Sequence, residues 1–279
     1  MPDMACVNGR FGPLADAVVS IEDRGFQFGD GVYEVLRTYR GQPFSIEAHL
    51  TRLERSAQSL QLATGHTMAQ WTSLIHEGLR LSRFPETKIY LQITRGQAPR
   101  DHSFPIDISP TIILTFRELH SLGASVRNAG VQAITIDDIR WGRCDIKSVN
   151  LLANVLARQQ AKEAGVFEAI LIREGMVTEG SVSNVMMVRN SVIQTAPEGH
   201  RILSGVTRAI VLELARKEGL AVAEAFVSRN ELFTASEVFL TGTTVDVLPV
   251  VRVDGEMIGD GAPGVVSRLL SARWNAFTG

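Results

Sequence analysis

Lys147 lies in the polar run Arg143-Cys144-Asp145-Ile146-Lys147-Ser148, just ahead of a helix-like stretch, and Glu179 follows it by 32 positions in Thr178-Glu179-Gly180-Ser181. Between them come the strand-like run from Phe167 to Arg173 and the Glu174-Gly175 turn. A helix with a returning strand fills a span of that size, so the amine and the carboxylate are expected at neighbouring strand ends. Such a pair suits a Schiff base: the amine holds an aldehyde cofactor and the carboxylate pairs with its ring nitrogen. Taken singly, a lysine near a helix start is usually a solvated charge and a glutamate before a glycine usually decorates a turn.

Other residues could bind rather than react. Arg52 falls beside the apolar stripe of a helix, where it either lies along the surface with its head in water or reaches a phosphate. Arg100 and His102, in the loop from Gly96 to Pro105, are exposed-loop residues or two cations on one side of an extended segment that grip a carboxylate. Leu203-Ser204-Gly205-Val206-Thr207-Arg208 opens a helix over 209–218, a plain helix start or a seat for a phosphate. Thr241-Gly242-Thr243-Thr244 follows a strand, and its hydroxyls and N–H groups could complete a phosphate cup. The glycines at 25, 29 and 31 lead into a strand and not a helix, which argues against a dinucleotide fingerprint.

The elements that must position these groups can be read from periodicity. Short strands are expected at 5–7 and 17–20, with a turn at Asn8-Gly9, then at 32–39, 87–95 and 111–116. Ser45 should cap a helix carrying Ile46, Leu50, Leu53, Ala57 and Leu60 on one face, and Thr67 with Gln70 should form the capping box of a second. An interdomain linker is expected at 119–130, between a small N-terminal domain (1–118) and a larger C-terminal one (131–279). Beyond it, strands at 131–136 and 167–173 flank a helix over 149–164 that stops at Gly165. A hairpin turns at Asn190-Ser191, a strand covers 221–227, a short helix starts at Ser228, a strand at 237–240 precedes the Thr-Gly-Thr turn, and a helix near 263–274 ends the chain.

The 279 residues are 45% apolar and 21% charged, with a net charge of −2, which fits a globular chain with a sizeable core. No strong field favours nucleic acid or an anionic membrane, no apolar run approaches the ~18 residues of a membrane span, and Met1 to Arg10 lacks a signal-peptide pattern. Two cysteines without Cys-x-x-Cys or paired-His spacing suggest neither a disulfide framework nor a metal site. The expected partners are small molecules and the expected location is cytoplasmic.

The run from Asp137 to Asn150, with Glu168-Ala169-Ile170 and Thr178 to Asn184, resembles the lysine segment of the fold-type IV pyridoxal-phosphate enzymes. The similarity extends from about Asn8 to Arg268. Asp23-Arg24-Gly25-Phe26-Gln27-Phe28-Gly29-Asp30-Gly31-Val32-Tyr33-Glu34-Val35, Thr94-Arg95-Gly96, Arg100-x-His102 and Asp145-Ile146-Lys147-Ser148 resemble its D-amino acid aminotransferase branch. The resemblance implies an α/β fold with a small N-terminal α/β domain and a larger C-terminal pseudo-barrel domain. It implies pyridoxal 5′-phosphate held by Lys147, Glu179 on the ring nitrogen, Leu203 against the ring, and Arg52, Val206, Thr207, Gly242 and Thr243 around the phosphate. Tyr33, Arg100 and His102 would grip the substrate carboxylate, the latter two from the other subunit of a homodimer. The implied reaction is ping-pong transamination between a D-amino acid and a 2-oxo acid. Branched-chain L-amino acid or (R)-amine aminotransferase and aminodeoxychorismate lyase are the alternatives on the same scaffold. Two positions depart from the pattern: Gly242 where serine is frequent, and Arg37 where lysine is common.

Overall fold

The computed structural model describes residues 3–279, in two compact units. Of the described residues, the first comprises 3–120 with Ile146–Asn150, and the second Ser121–Asp145 with Leu151–Gly279. Lys147 therefore belongs to the first unit although its sequence neighbours on both sides belong to the second.

The first unit is built on the strands β1 (Met4–Val7), β2 (Arg10–Pro13), β3 (Gly31–Tyr39), β4 (Gln42–Pro43), β5 (Thr87–Thr94) and β6 (Thr111–Glu118), with helices α1 (Arg24–Phe28), α2 (Ile46–Ser59) and α3 (Met68–Ser82). The strands form one antiparallel sheet in the order β2-β1-β6-β5-β3-β4. Asn8 and Gly9 turn the first hairpin with φ of +49° and +80°, the left-handed pair that a two-residue hairpin favours. Alternation puts Val32, Leu36, Ile89, Leu91, Ile93, Leu114 and Phe116 into one core with Leu50, Leu53, Ala57, Trp71 and Ile75 of the two long helices. Each fully buried aliphatic side chain there contributes roughly 1.5–3 kcal/mol. Ile146 joins this core. Tyr33 N–H donates to Lys147 O at 2.9 Å and Val149 N–H to Gly31 O at 3.1 Å, so residues 147–149 lie along the start of β3.

The second unit contains α4 (Ala124–Ala129), β7 (Val131–Asp137), α5 (Leu152–Glu163), β8 (Glu168–Arg173), β9 (Met176–Gly180), β10 (Asn184–Arg189), β11 (Val192–Thr195), α6 (Val206–Lys217), β12 (Ala221–Glu224), α7 (Arg229–Leu232), β13 (Glu237–Gly242), β14 (Asp246–Val253), β15 (Glu256–Met257) and α8 (Val265–Thr278). Its sheet runs β12-β11-β10-β13-β14-β7-β8-β9, with β15 beside β14. The pairs β11–β12, β14–β7 and β7–β8 are parallel and the rest antiparallel. Val131, Ala133, Ile170, Val185, Met187, Val238, Leu240, Leu248 and Val250 fill its main core. This is a mixed α/β fold.

Several expectations change. Residues 17–20 form no strand; Pro13 and the 3-10 turn Leu14–Asp16 end the second strand of the hairpin early. Ser45 sits at φ +49° and makes no side-chain cap, whereas the box at Thr67 with Gln70 forms as read and the helix at Ser228 starts with a box to Glu231. The glycine-containing stretch after Asp23 is the short helix α1, capped by the Asp23 carboxylate on Gly25 N–H. The expected linker carries α4, and from Ser121 on it groups with the second unit. The helix expected from 149 starts at Leu152, because the preceding residues are held against β3. Among the described residues no helix is long and apolar enough to cross a membrane.

Candidate active site

In the first unit, Lys147 is fixed through its backbone: its C=O accepts from Tyr33 and its N–H donates to Ser56 Oγ of α2 at 3.2 Å. Its Nζ stands 4.4 Å from the centroid of the Tyr33 ring. Tyr33 stacks on Tyr90 of β5 at 5.6 Å, and burial, with Tyr33 alongside, pushes the Tyr90 hydroxyl up to about 12.

Beneath β3 lies a charged trio that sequence reasoning passed over apart from Arg52. Glu34 occupies a core-facing position of the strand and is fully buried. Its Oε1 accepts from Arg52 Nε at 2.7 Å and its Oε2 from Arg52 Nη2 at 2.9 Å, while His49 Nδ1 lies 2.8 Å from Oε2. Burial alone would raise the Glu34 pKa; the Arg52 and His49 partners overcome it and hold the carboxyl well below the usual range. Burial lowers His49, with the Glu34 charge opposing. The signal was present: Glu34 falls between Val32 and Leu36 in the inward alternation, and His49 and Arg52 lie one turn apart beside the apolar stripe of α2.

Arg100 and His102 are exposed and share the ring of Phe28, with the Arg100 Cζ 4.6 Å and the His102 ring 5.3 Å from its centroid. Arg37 is buried, stacked on Tyr39 at 4.0 Å and 3.9 Å from Glu86.

In the second unit Glu179 ends β9 in a preformed cradle. Arg140 Nη1 donates to its Oε1 at 2.5 Å, Asn184 Nδ2 to its Oε2 at 2.9 Å, and Leu203 N–H to both oxygens at 3.1 and 3.0 Å. Arg140 is itself gripped by the buried Asp138, which also takes Arg173 at 3.0 Å and the Thr178 hydroxyl at 3.1 Å. Burial opposes the charge on Arg140, but Asp138 and Glu179 raise its pKa further above the normal value. Asn184, Arg140 and Asp138 were read as parts of motifs and given no role; Asn184 opens β10, and Asp138 and Arg140 lie in the loop just after β7.

The remaining expected ligands cluster in the same unit. Val206 and Thr207 form the first turn of α6, whose N-cap Gly205 makes no side-chain cap bond. A Cβ on Gly205 would come within 2.1 Å of Asn184 Oδ1, so only glycine lets the Glu179 cradle and the helix start meet. Gly242 and Thr243 lie at the β13–β14 turn, directly after Thr241, whose buried hydroxyl lacks a hydrogen-bond partner. A Cβ on Gly242 would make only ordinary contacts, the nearest at 3.4 Å from Val245. An uncapped helix start, an orphaned hydroxyl and a preset carboxylate suit a phosphorylated ring with a basic nitrogen.

A lysine held by its backbone beside β3 and, in the second unit, a preset carboxylate cradle are each features that a pyridoxal-phosphate aminotransferase requires. The family model for amino-transferase class IV matches residues 31–253, and the chain belongs to that family of pyridoxal-phosphate-dependent enzymes. Among curated relatives it is 45% identical over 261 residues to the D-alanine aminotransferase of Bacillus licheniformis, covering 94% of this chain and 92% of that one. It is 40% identical over 271 residues to the D-alanine aminotransferase of Staphylococcus haemolyticus, covering 97% and 96%. Solved structures similar to it include the Escherichia coli branched-chain amino acid aminotransferase, with a TM-score of 0.93, 25% identity and coverage of 100% and 95%. A T.th. branched-chain amino acid aminotransferase with pyridoxamine 5′-phosphate has a TM-score of 0.91 at 28% identity, covering 99% and 94%.

Proposed function

We propose that this chain is a D-amino acid aminotransferase of the D-alanine type, exchanging an amino group between a D-amino acid and a 2-oxo acid by a ping-pong route. Pyridoxal phosphate, when bound, supplies an aldehyde that takes up the amino group and a ring that accepts negative charge from the substrate α-carbon. Lys147 Nζ would hold the cofactor aldehyde until the substrate amine takes its place, and the freed amine would then take the proton from the substrate α-carbon and return one as the amino group is transferred. Glu179, oriented by Arg140, Asn184 and Leu203, would keep a proton on the ring nitrogen. Val206, Thr207, Gly242, Thr243 and Arg52 would hold the phosphate, and Leu203 would lie against the ring. Tyr33, Arg100 and His102 hold the substrate carboxylate and so fix the enantiomer by orientation.

The observation that carries the D-amino acid reading is the placement of Arg100 and His102 together on Phe28, two exposed nitrogen-bearing groups presented from one loop. It agrees with the relatives of highest identity given above, D-alanine aminotransferases at 40–45%, against 25–28% for the branched-chain structures. A homodimer in which these two residues serve the partner's site is supported by the apolar surface nearby, with Val18, Ile21 and Phe26 at 80, 79 and 77% exposure. A cytoplasmic location fits two free cysteines.

The test is substrate choice. An arginine–carboxylate contact is worth roughly 1.5–3 kcal/mol, about ten- to a hundredfold. Arg100→Ala should lower kcat/KM for D-alanine and for 2-oxoglutarate by at least about tenfold and leave reaction with a carboxylate-free amine nearly unchanged. If the parent protein prefers L-leucine or L-valine to D-alanine, the branched-chain reading replaces this one.

A further inference from the structure

The segment from Asp23 to Gly31 carries much of the resemblance, yet none of its side chains enters the chemistry above. Its geometry shows what it holds. Arg24 is 3% exposed although its sequence position, the first residue of a five-residue helix, is one where arginine usually faces water. Its guanidinium donates from Nε to Asp30 Oδ2 at 2.8 Å, from Nη1 to Asp101 O at 2.5 Å and from Nη2 to His102 O at 3.4 Å. The same group lies 4.8 Å from the centroid of Phe28, the ring that carries Arg100 and His102. One planar cation thus ties down the backbone of the two residues following Arg100 and one face of the aromatic support.

The mount is braced from behind. Asp30 also accepts from Arg95 Nε at 2.8 Å and Nη2 at 3.0 Å, and Arg95 donates to the carbonyls of Leu60 and Gln61 at 2.8 and 2.9 Å, anchoring the assembly to the end of α2. Arg95 Cζ stands 3.7 Å from the Phe104 ring, on the far side of the loop. Burial works against the Asp30 charge, and the two arginines overcome it and lower the pKa. The helix can approach this closely because residue 25 is glycine: a Cβ there would lie 2.2 Å from Thr94 Cγ2.

We propose that Arg24 is a positioning residue for substrate-carboxylate recognition, fixing the loop that presents Arg100 and His102 through the carbonyls of Asp101 and His102. The proposal rests on the reading of Arg100 and His102 given above. Only arginine spans these acceptors, because its fork of N–H donors is rigid and planar; lysine would keep the charge beside Asp30 but lose the simultaneous reach to the loop carbonyls.

The experiment compares Arg24→Met, Arg24→Lys, Arg100→Ala and the Arg24→Met/Arg100→Ala double variant, each as cofactor-loaded protein. Steady-state constants are measured with D-alanine and 2-oxoglutarate, a half-reaction is followed with a carboxylate-free amine, and amide hydrogen exchange is followed over residues 100–104. Arg24→Met should raise KM for both carboxylate substrates about tenfold with a smaller change in kcat, leave the amine half-reaction within twofold, and speed exchange in the loop. Arg24→Lys, the variant safer for folding, should fall between parent and Met. The double variant should be little worse than Arg100→Ala alone, since a loop without its arginine loses nothing more when its mount loosens. The proposal is overturned if Arg24→Met or Arg24→Lys leaves both KM values and loop exchange at parent levels, if amine and carboxylate substrates suffer alike, or if the two substitutions are additive. An Arg100→Ala protein with unaltered carboxylate kinetics would instead remove the trap reading itself, and this proposal with it.

Discussion

Replacing Glu34 by Gln tests the charged trio under β3. The substitution keeps the side chain's shape but turns one of two acceptor oxygens into an amide donor. Both oxygens are used, Oε1 by Arg52 Nε and Oε2 by Arg52 Nη2 and His49 Nδ1, and the three residues are 0, 7 and 2% exposed. Water cannot take over the lost bonds at that depth, so Arg52 becomes a buried cation without its counter-charge. Breaking a buried pair by removing one partner costs about 3–5 kcal/mol, and retention of one acceptor places Glu34→Gln near 3. At roughly 2–4 °C per kcal/mol for chains approaching this length, cofactor-free protein at pH 7.5 should melt about 6–12 °C lower in a calorimetric scan. The pH dependence has a definite sign. His49 is depressed below its ordinary 6.5, so the unfolded chain takes up a proton that the folded chain refuses, and stability falls as pH drops through 6.5. Glu34 raises His49, so its loss depresses His49 further and extends that decline to lower pH in the variant. Glu34 itself is depressed, so the stability it gives is present above its ordinary 4.5 and vanishes only as pH falls through its lower folded value. The gap between parent and variant should therefore narrow only at strongly acid pH. A melting shift under about 2 °C, with superimposable pH profiles, would refute the coupling of these three charges.

Three further outcomes are expected. Borohydride treatment of the cofactor-loaded protein should fix the label on Lys147, and Lys147→Ala should end multiple turnover; a peptide map placing the label on Lys88, Lys162 or Lys217 would remove the assignment. Glu179→Gln should slow turnover far more than it weakens cofactor retention on dialysis, because the phosphate contacts carry the anchorage, and near-parent turnover would show that the carboxylate does not pair with the ring nitrogen. Mixing Arg100→Ala protein with Lys147→Ala protein should restore activity through hybrid dimers with one intact site, whereas no recovery under conditions of demonstrated subunit exchange would exclude shared sites.

The sequence made the long, strongly periodic elements legible. The spacing of Ile46, Leu50, Leu53 and Ala57 defined α2, and the Thr67–Gln70 box marked the start of α3, because both signals are local. Ser45 misled because its backbone is left-handed, and from that conformation its hydroxyl makes no cap bond. Lys147 and Glu179 stood out by residue type and setting, but the partners that orient Glu179 could not, since Arg140 lies 39 and Leu203 24 positions away in sequence. The role of Arg24 was similarly hidden, because its acceptors at 101 and 102 are backbone carbonyls, which no residue type betrays. Membership of residues 146–150 in the first unit was also unreadable: it follows from two backbone hydrogen bonds to β3 and one buried isoleucine, none of which alters periodicity.

That excursion has a consequence for how the chain is made. A ribosome that has released only the first 120 residues has released six strands and three helices of the first unit, but not Ile146, which fills a place in its core, nor the backbone that lies along Gly31 and Tyr33. The unit is completed only after a further stretch destined for the other unit has emerged. No single cut in the gene would then yield two self-sufficient halves, and a fragment ending at residue 120 should be less stable than the same fragment supplied with a peptide spanning 146–150. The lysine is seated by the last piece of the first unit to arrive.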